Sequence, residues 1–157
     1  MILHRNTHSS RVYFFREKPG PSPAKNFTLD PAKARGGPVS IIISTADSKI
    51  YVYRNGVEIG RAPAGGFNNI RLAGTFVYSA DSNLGSADGP DWISVVSVGK
   101  KAPKLKALED HFSVDRSFLQ GVRNVITPGT TLILTHMPVN RQTMSGPGFN
   151  ILAASQN

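Results

Sequence analysis

The chain has 157 residues, no cysteine, and eighteen Lys/Arg against ten Asp/Glu, a net charge of +8. That length suffices for one domain that buries about 70% of its unfolded surface without staples. The lack of cysteine excludes disulfides, thiolate metal sites and thiol nucleophiles together.

The charge is uneven. Residues 1–37 carry Arg5, Arg11, Arg16, Lys18, Lys25, Lys33 and Arg35 against Glu17 and Asp30, whereas the remainder is nearly balanced. A basic arm of this kind attracts polyanions such as nucleic acid, acidic lipid or an anionic wall polymer, but a charge run alone specifies no partner and the plainer reading is a solvated tail that keeps the chain soluble. "EKPGPSPAKN" and "KARGGP" add Pro and Gly, which favour extended backbone and block helix. Residues 1–37 are therefore expected to be an N-terminal extension, and residues 38–157 the folded domain. Within the extension, "RVYFF" has the length of a short docking strand. The N-terminus lacks the charged-then-apolar layout of a signal peptide. The chain is thus expected to be cytoplasmic, or a mature form or fragment of a longer precursor. No run reaches the ~18 apolar residues of a membrane helix.

From Pro38 the pattern is mostly β. "VSIII" is a near-continuous β-branched run of strand length. "KIYVYR" follows the turn formers "STADS" and leads into Asn55-Gly56, a strong hairpin signal because both residues tolerate positive φ. A two-residue turn there pairs Arg54 with Val57, Val52 with Ile59 and Ile50 with Arg61. The opposite face carries Tyr51, Tyr53, Glu58 and Gly60, amphipathic and half covered. "GTFVYSA" and "WISVVSV" are two further strands, separated by the loop "DSNLGSADGPD".

The period then changes. Pro103 starts "PKLKALEDHF", with Leu105, Leu108 and Phe112 at helical spacing. Ser113 is a candidate N-cap for "VDRSFLQGVRNVI", whose Val114, Phe118, Leu119, Val122, Val125 and Ile126 form one stripe. Gly121 weakens that helix by ~1 kcal/mol relative to alanine, and without a side chain it would let a sheet approach closely. Thr127-Pro128-Gly129 ends it. "TTLILTHM" and "GFNILAAS" read as the last strands. Strands dominate and do not alternate with helices, which argues for an α+β or β-sandwich-like domain with a covering helix and against a doubly wound parallel sheet.

"SIIISTADSKIYVYRNGVEIGRAPAG", "LAGTFVYSAD", "WISV" and "VITPGTTLILTHMPV" together resemble the L,D-transpeptidase catalytic domain over roughly residues 38–140. The resemblance implies that family's β-sandwich with a covering helix, a place in the cell envelope, and peptidoglycan or an active transpeptidase domain as partner. Its catalytic signature is absent. The family works through the cysteine of "SHGC" with an upstream histidine, but after "WISVVSVGKK" this chain runs directly into "APKLKALEDHFSVDRSFLQGV". Thiolate chemistry needs a sulfur. "TPGTTLILT … GPGFNIL" also resembles the ending of cysteine-less companion segments found in some of these proteins. The chain is accordingly expected to be a degenerate, non-catalytic member with a structural or wall-associated role.

The remaining chemistry-bearing residues have plainer readings. His4 and His8 have a metal-pair spacing but lack the third and fourth ligands zinc requires, so no metal is expected. His111 beside Asp110 superficially suggests a dyad, although helical neighbours point apart. His136 falls at a strand rim. No G-x-S-x-G supports a serine nucleophile, and neither "GGFNN" nor "GSADGPD" makes a phosphate or dinucleotide fingerprint, so no cofactor is expected. An active serine or carboxylate centre would have to be assembled from distant residues. The carboxylates, Asp47 and Asp115 among them, sit in turn-like or cap-like contexts. Candidate binding residues are Tyr51, Tyr53 and Trp92, as saccharide-stacking or core aromatics, together with Arg11, Arg16 and Lys18 of the arm. The mixture "RVYFFREK" would suit single-stranded nucleic acid, but no module signature accompanies it.

Overall fold

The computed structural model describes residues 26–67, 71–82, 91–97, 102–105 and 111–139. The strands are β1 (Thr28–Leu29), β2 (Val39–Ser44), β3 (Lys49–Arg54), β4 (Val57–Gly65), β5 (Thr75–Ala80), β6 (Trp92–Ser97), β7 (Ser113–Val114) and β8 (Thr131–Thr135). One α-helix of this set, α1 (Arg116–Arg123), precedes β8, and Pro31–Lys33 make a single 3-10 turn. The strands form an open mixed sheet in the order β1-β4-β3-β2-β8-β5-β6, with β7 pairing β4 off this path. The chain is mostly β with a helix, as expected of an α+β domain. The pairings are antiparallel except for β2 beside β8.

Cross-strand register sorts the side chains into rows. Ile50, Ile43, Leu134 and Phe76 lie opposite one another across β3, β2, β8 and β5, and Val52, Ile41, Leu132 and Tyr78 form the next row on that face. These rows meet Phe118, Leu119 and Val122 of α1 in the main core. The alternate row, Tyr51, Ile42, Ile133 and Val77, belongs to a separate buried cluster on the second face. Both faces of β2 are thus apolar, which explains its uninterrupted run of isoleucines.

The hairpin at Asn55-Gly56 forms, with φ of 52° and 78° at its two residues. Its register departs from the regular one. Arg54 pairs Val57, but a bulge between Val52 and Tyr53 places Gly60 opposite Val52 and Ala62 opposite Ile50. Regular pairing would put Arg61 on the core face beside Ile50. The extra residue moves Arg61 to the second face, over the Tyr51 ring, and leaves Ile59, Ala62 and Ala64 in the core.

The helix start also differs from expectation. Ser113 is in β7, paired with Gly65, and the N-cap is Asp115, whose carboxylate accepts from the backbone N–H groups of Ser117 and Phe118 at 2.8 and 3.2 Å. An aspartate satisfies two orphan donors and suits the positive end of the helix dipole, so it displaces the serine two residues earlier. Gly121 meets the sheet as anticipated, since a Cβ there would lie 2.2 Å from Leu29 Cδ2 of β1.

Residues 26–37 pack on the body. Leu29 pairs Gly60, Phe27 makes an edge-to-face contact with Phe118, and Ala34 is buried. Arg54 Nη1 donates to the Ala34 carbonyl at 2.9 Å, holding the 3-10 turn against the β3 end. The expected strand "RVYFF", the His4/His8 pair, most of the helix at 103–112 and the final strand "GFNILAAS" lie outside the described residues. Leu105 and Phe112, from the two ends of the stretch expected to be helical, are both buried in the main core, while Pro103, Lys104 and Phe112 themselves are not helical.

Candidate functional site

The second face of the sheet carries Tyr51 and Tyr53, with Arg61 over the Tyr51 ring. Both tyrosines are buried, at 4% and 7% exposure, not half covered as the alternation suggested. Burial first, then the hydrogen bond to Asp47, raises the Tyr51 phenol well above its ordinary value. The Tyr53 phenol is pushed up to about 12, by burial and then by the nearby Glu58 carboxylate. Both therefore stay neutral across the physiological range. Arg61 lies 5.1 Å over the Tyr51 ring and makes a bidentate pair with Glu58 at 2.6 and 2.7 Å. That pair keeps the guanidinium pKa raised.

The parallel strands β2 and β8 end together at Ser44 and Thr135, and a hydrogen-bonded cluster closes this carboxyl edge. Such edges are where open α/β sheets place ligands. Ser44 Oγ donates to the Met137 carbonyl at 2.7 Å and accepts from the Asp47 N–H. Thr135 Oγ1 accepts from the Met137 N–H and lies 2.8 Å from Thr75 Oγ1. Asp47 Oδ2 receives two donors, Tyr51 O–H at 2.8 Å and Val139 N–H at 2.9 Å. His136 is exposed, with Nδ1 3.1 Å from the Gly74 carbonyl. The hydroxyls and the carboxylate are engaged with one another and with backbone, which makes the edge a fastening between the β2–β3 turn and the chain leaving β8.

The other candidates are scattered. Trp92 is half-buried on the opposite face, packed against the main core, so it does not join Tyr51 and Tyr53 in one aromatic platform. His111 is exposed at the turn before β7, far along the chain from His136, and its carbonyl faces Gly66. Among the described residues no group of three His, Cys, Asp or Glu could hold a metal ion. No described helix is long and apolar enough to cross a membrane. Arg11, Arg16 and Lys18 lie outside the described residues.

Sequence reasoning passed over Asp47, Ser44 and Thr135. Asp47 read as an ordinary turn former in "STADS". The available signal was Tyr51 four residues on, but the second donor, Val139, is 92 positions away and invisible locally. The chain matches no protein-family model, no curated protein and no solved structure.

Proposed function

We propose that this is a non-catalytic, wall-associated domain of L,D-transpeptidase-like architecture, a degenerate relative whose part is structural: holding peptidoglycan, or packing against an active transpeptidase domain. One observation carries the reading. The stretches that resemble the family are β2, β3, β4, β5, β6 and β8, neighbours in one sheet around the parallel β2–β8 pair, in a chain without the nucleophile. The switch of β4 from β3 to β7 over Ala64 and Gly65 supports a sandwich-type corner in which a second layer begins.

The test is co-sedimentation of the purified chain with isolated peptidoglycan sacculi, beside a cross-linking assay on muropeptides. Binding without new cross-links is expected. Cross-linked product from this chain alone would defeat the non-catalytic reading. Failure to bind either sacculi or a transpeptidase domain would defeat the wall association.

The charge distribution favours a second reading, a basic module that seats an anionic polymer through its arm. Affinity should then fall steeply with salt and vanish when residues 1–25, with five of the basic groups, are removed. Salt-insensitive binding retained by residues 26–157 would exclude it.

A further inference from the structure

The sheet has two unequal edges. At one, β1 is two residues long; at the other, β6 runs for six, Trp92–Ser97. Among the described residues β6 pairs with β5 alone, so its outer row of N–H and C=O groups faces away from the sheet. Three consecutive side chains, Ile93, Ser94 and Val95, are exposed, the two apolar ones at 52% and 53%. Ile93 lies opposite Ser79 and Ser94 opposite Tyr78, on the two faces of the sheet, so both flanks of this edge are open. The strand has no charged residue and no proline to keep it from pairing, and the extra residue in its register with β5 adds twist without covering it. Charge is sorted along the edge. Where β6 starts, the Asp91 carbonyl accepts from the Asp81 N–H at 2.8 Å, so two acidic residues are neighbours there, and Asp88 precedes them in sequence. Where β6 ends, β5 begins, with Arg71 shortly before it in sequence, and Lys100 and Lys101 follow β6.

We propose that β6 is a self-pairing edge: two copies of this chain join antiparallel through it, about a two-fold axis at Ser94, into one continuous sheet. Charge sets the direction. Antiparallel pairing brings the acidic end of each β6 to the basic end of the other, whereas parallel pairing stacks like ends. Centred on Ser94, the pairing sets Ile93 of each copy opposite Val95 of the other, so the exposed apolar side chains cover one another. The interface uses the same surface of both copies and leaves the two-residue β1 at each outer end, so the assembly closes at two. The basic arm joins the fold at β1, the edge farthest from the axis, which keeps the excess positive charge of the two copies apart.

The test is the mass of the full chain in solution, by sedimentation over a concentration series, together with cross-linking. A dimer half formed at about 10–100 µM is expected, as suits a small interface. Val95→Lys should weaken it by about tenfold or more and leave the circular dichroism unchanged, because residue 95 is exposed and a charge on an edge opposes pairing. Asp91→Lys should also weaken it, and adding Lys100→Glu and Lys101→Glu to that variant should restore association, since both ends are then reversed together. The chain has no cysteine, so Ser94→Cys supplies a single thiol that should oxidise readily to a covalent dimer, whereas Val57→Cys, at the exposed β3–β4 turn, should not. A monomer throughout the series overturns the proposal, whether another segment of the chain or a different protein takes the edge. So does a dimer that survives Val95→Lys, or one in which Ser94→Cys forms its disulfide no faster than Val57→Cys. No restoration by the reversed ends overturns the antiparallel arrangement. If Val95→Lys fails to fold, the cysteine pair and the charge reversal decide.

Discussion

Two glycines show how the same substitution meets different resistance. At Gly66, φ is +87° and a Cβ would lie 1.4 Å from the His111 carbonyl oxygen. Both the conformation and the backbone neighbour oppose a side chain, and a backbone atom cannot turn aside. At Gly121 a Cβ would meet the tip of Leu29, the far end of a flexible side chain, and alanine recovers ~1 kcal/mol of helix propensity. Gly66→Ala should therefore cost at least about 2 kcal/mol in denaturant unfolding, or prevent folding, while Gly121→Ala stays within about 1 kcal/mol of the wild type. Tyrosine ionisation gives a second expectation at this scale. Tyr53 and Tyr78 keep their protons to about 12, each chiefly through burial, whereas an unfolded phenol releases its proton near about 10. The folded state then binds more protons between those values. The stability this contributes is complete below about pH 10 and is lost as pH rises through about 12. Tyrosinate absorbance and circular dichroism should change together in that window, and Tyr53→Phe should make the loss shallower.

The elements depend on particular terminal residues. Helix α1 is only eight residues long, and a helix of that length is marginal without packing and caps. Asp115 caps it from a position only 2% exposed, so Asp115→Ala should cost roughly 1–2 kcal/mol, and Asp115→Asn or Asp115→Ser less, by thermal or urea unfolding. Equal losses for alanine and asparagine would assign the residue's role to charge alone. This helix and its hairpin neighbour also mark how far the sequence could be read. The stripe of Phe118, Leu119, Val122 and Val125 was legible because periodicity reports which face is buried, and these residues are in the core. The cap was misplaced because Ser113 and Asp115 both have capping side chains, and pairing of residue 113 with β4 decides between them. The β3–β4 turn was legible from Asn55-Gly56, but its bulge was not. Alternation carries no sign of an extra residue until the burial of Ala62 and Ala64 is known. Tyr51 and Tyr53 were correctly placed on one face, yet their depth depends on what lies over that face, which strand alternation does not encode.

At the scale of the molecule, the boundary near residue 37 suggested by composition divides a packed region. Proline and glycine mark residues 31–38 as unfit for an α-helix, and apart from the 3-10 turn at Pro31–Lys33 they are irregular, but Leu29, Ala34 and Phe27 still contribute apolar surface to the main core. A chain beginning at residue 38 should be less stable than one beginning at residue 26, by several kcal/mol at ~25 cal/mol per Å² of apolar area uncovered. Equal unfolding midpoints for the two would show that β1 and its neighbours add nothing to the fold. The expectation of a mostly β chain rested on strand-length apolar runs and was met. The strand order was beyond reach, because no local pattern announces that β8 enters between β2 and β5.

That insertion has a consequence for synthesis. The hairpins β2–β3–β4 and β5–β6 can each assemble as soon as they leave the ribosome, since their partners are close in sequence. The strand that joins them, Thr131–Thr135, is made only after both hairpins, and until it emerges each half exposes an open backbone rim. The nascent chain must wait for its keystone, so a stalled or shortened transcript yields two sticky half-sheets in place of a smaller working version of the protein.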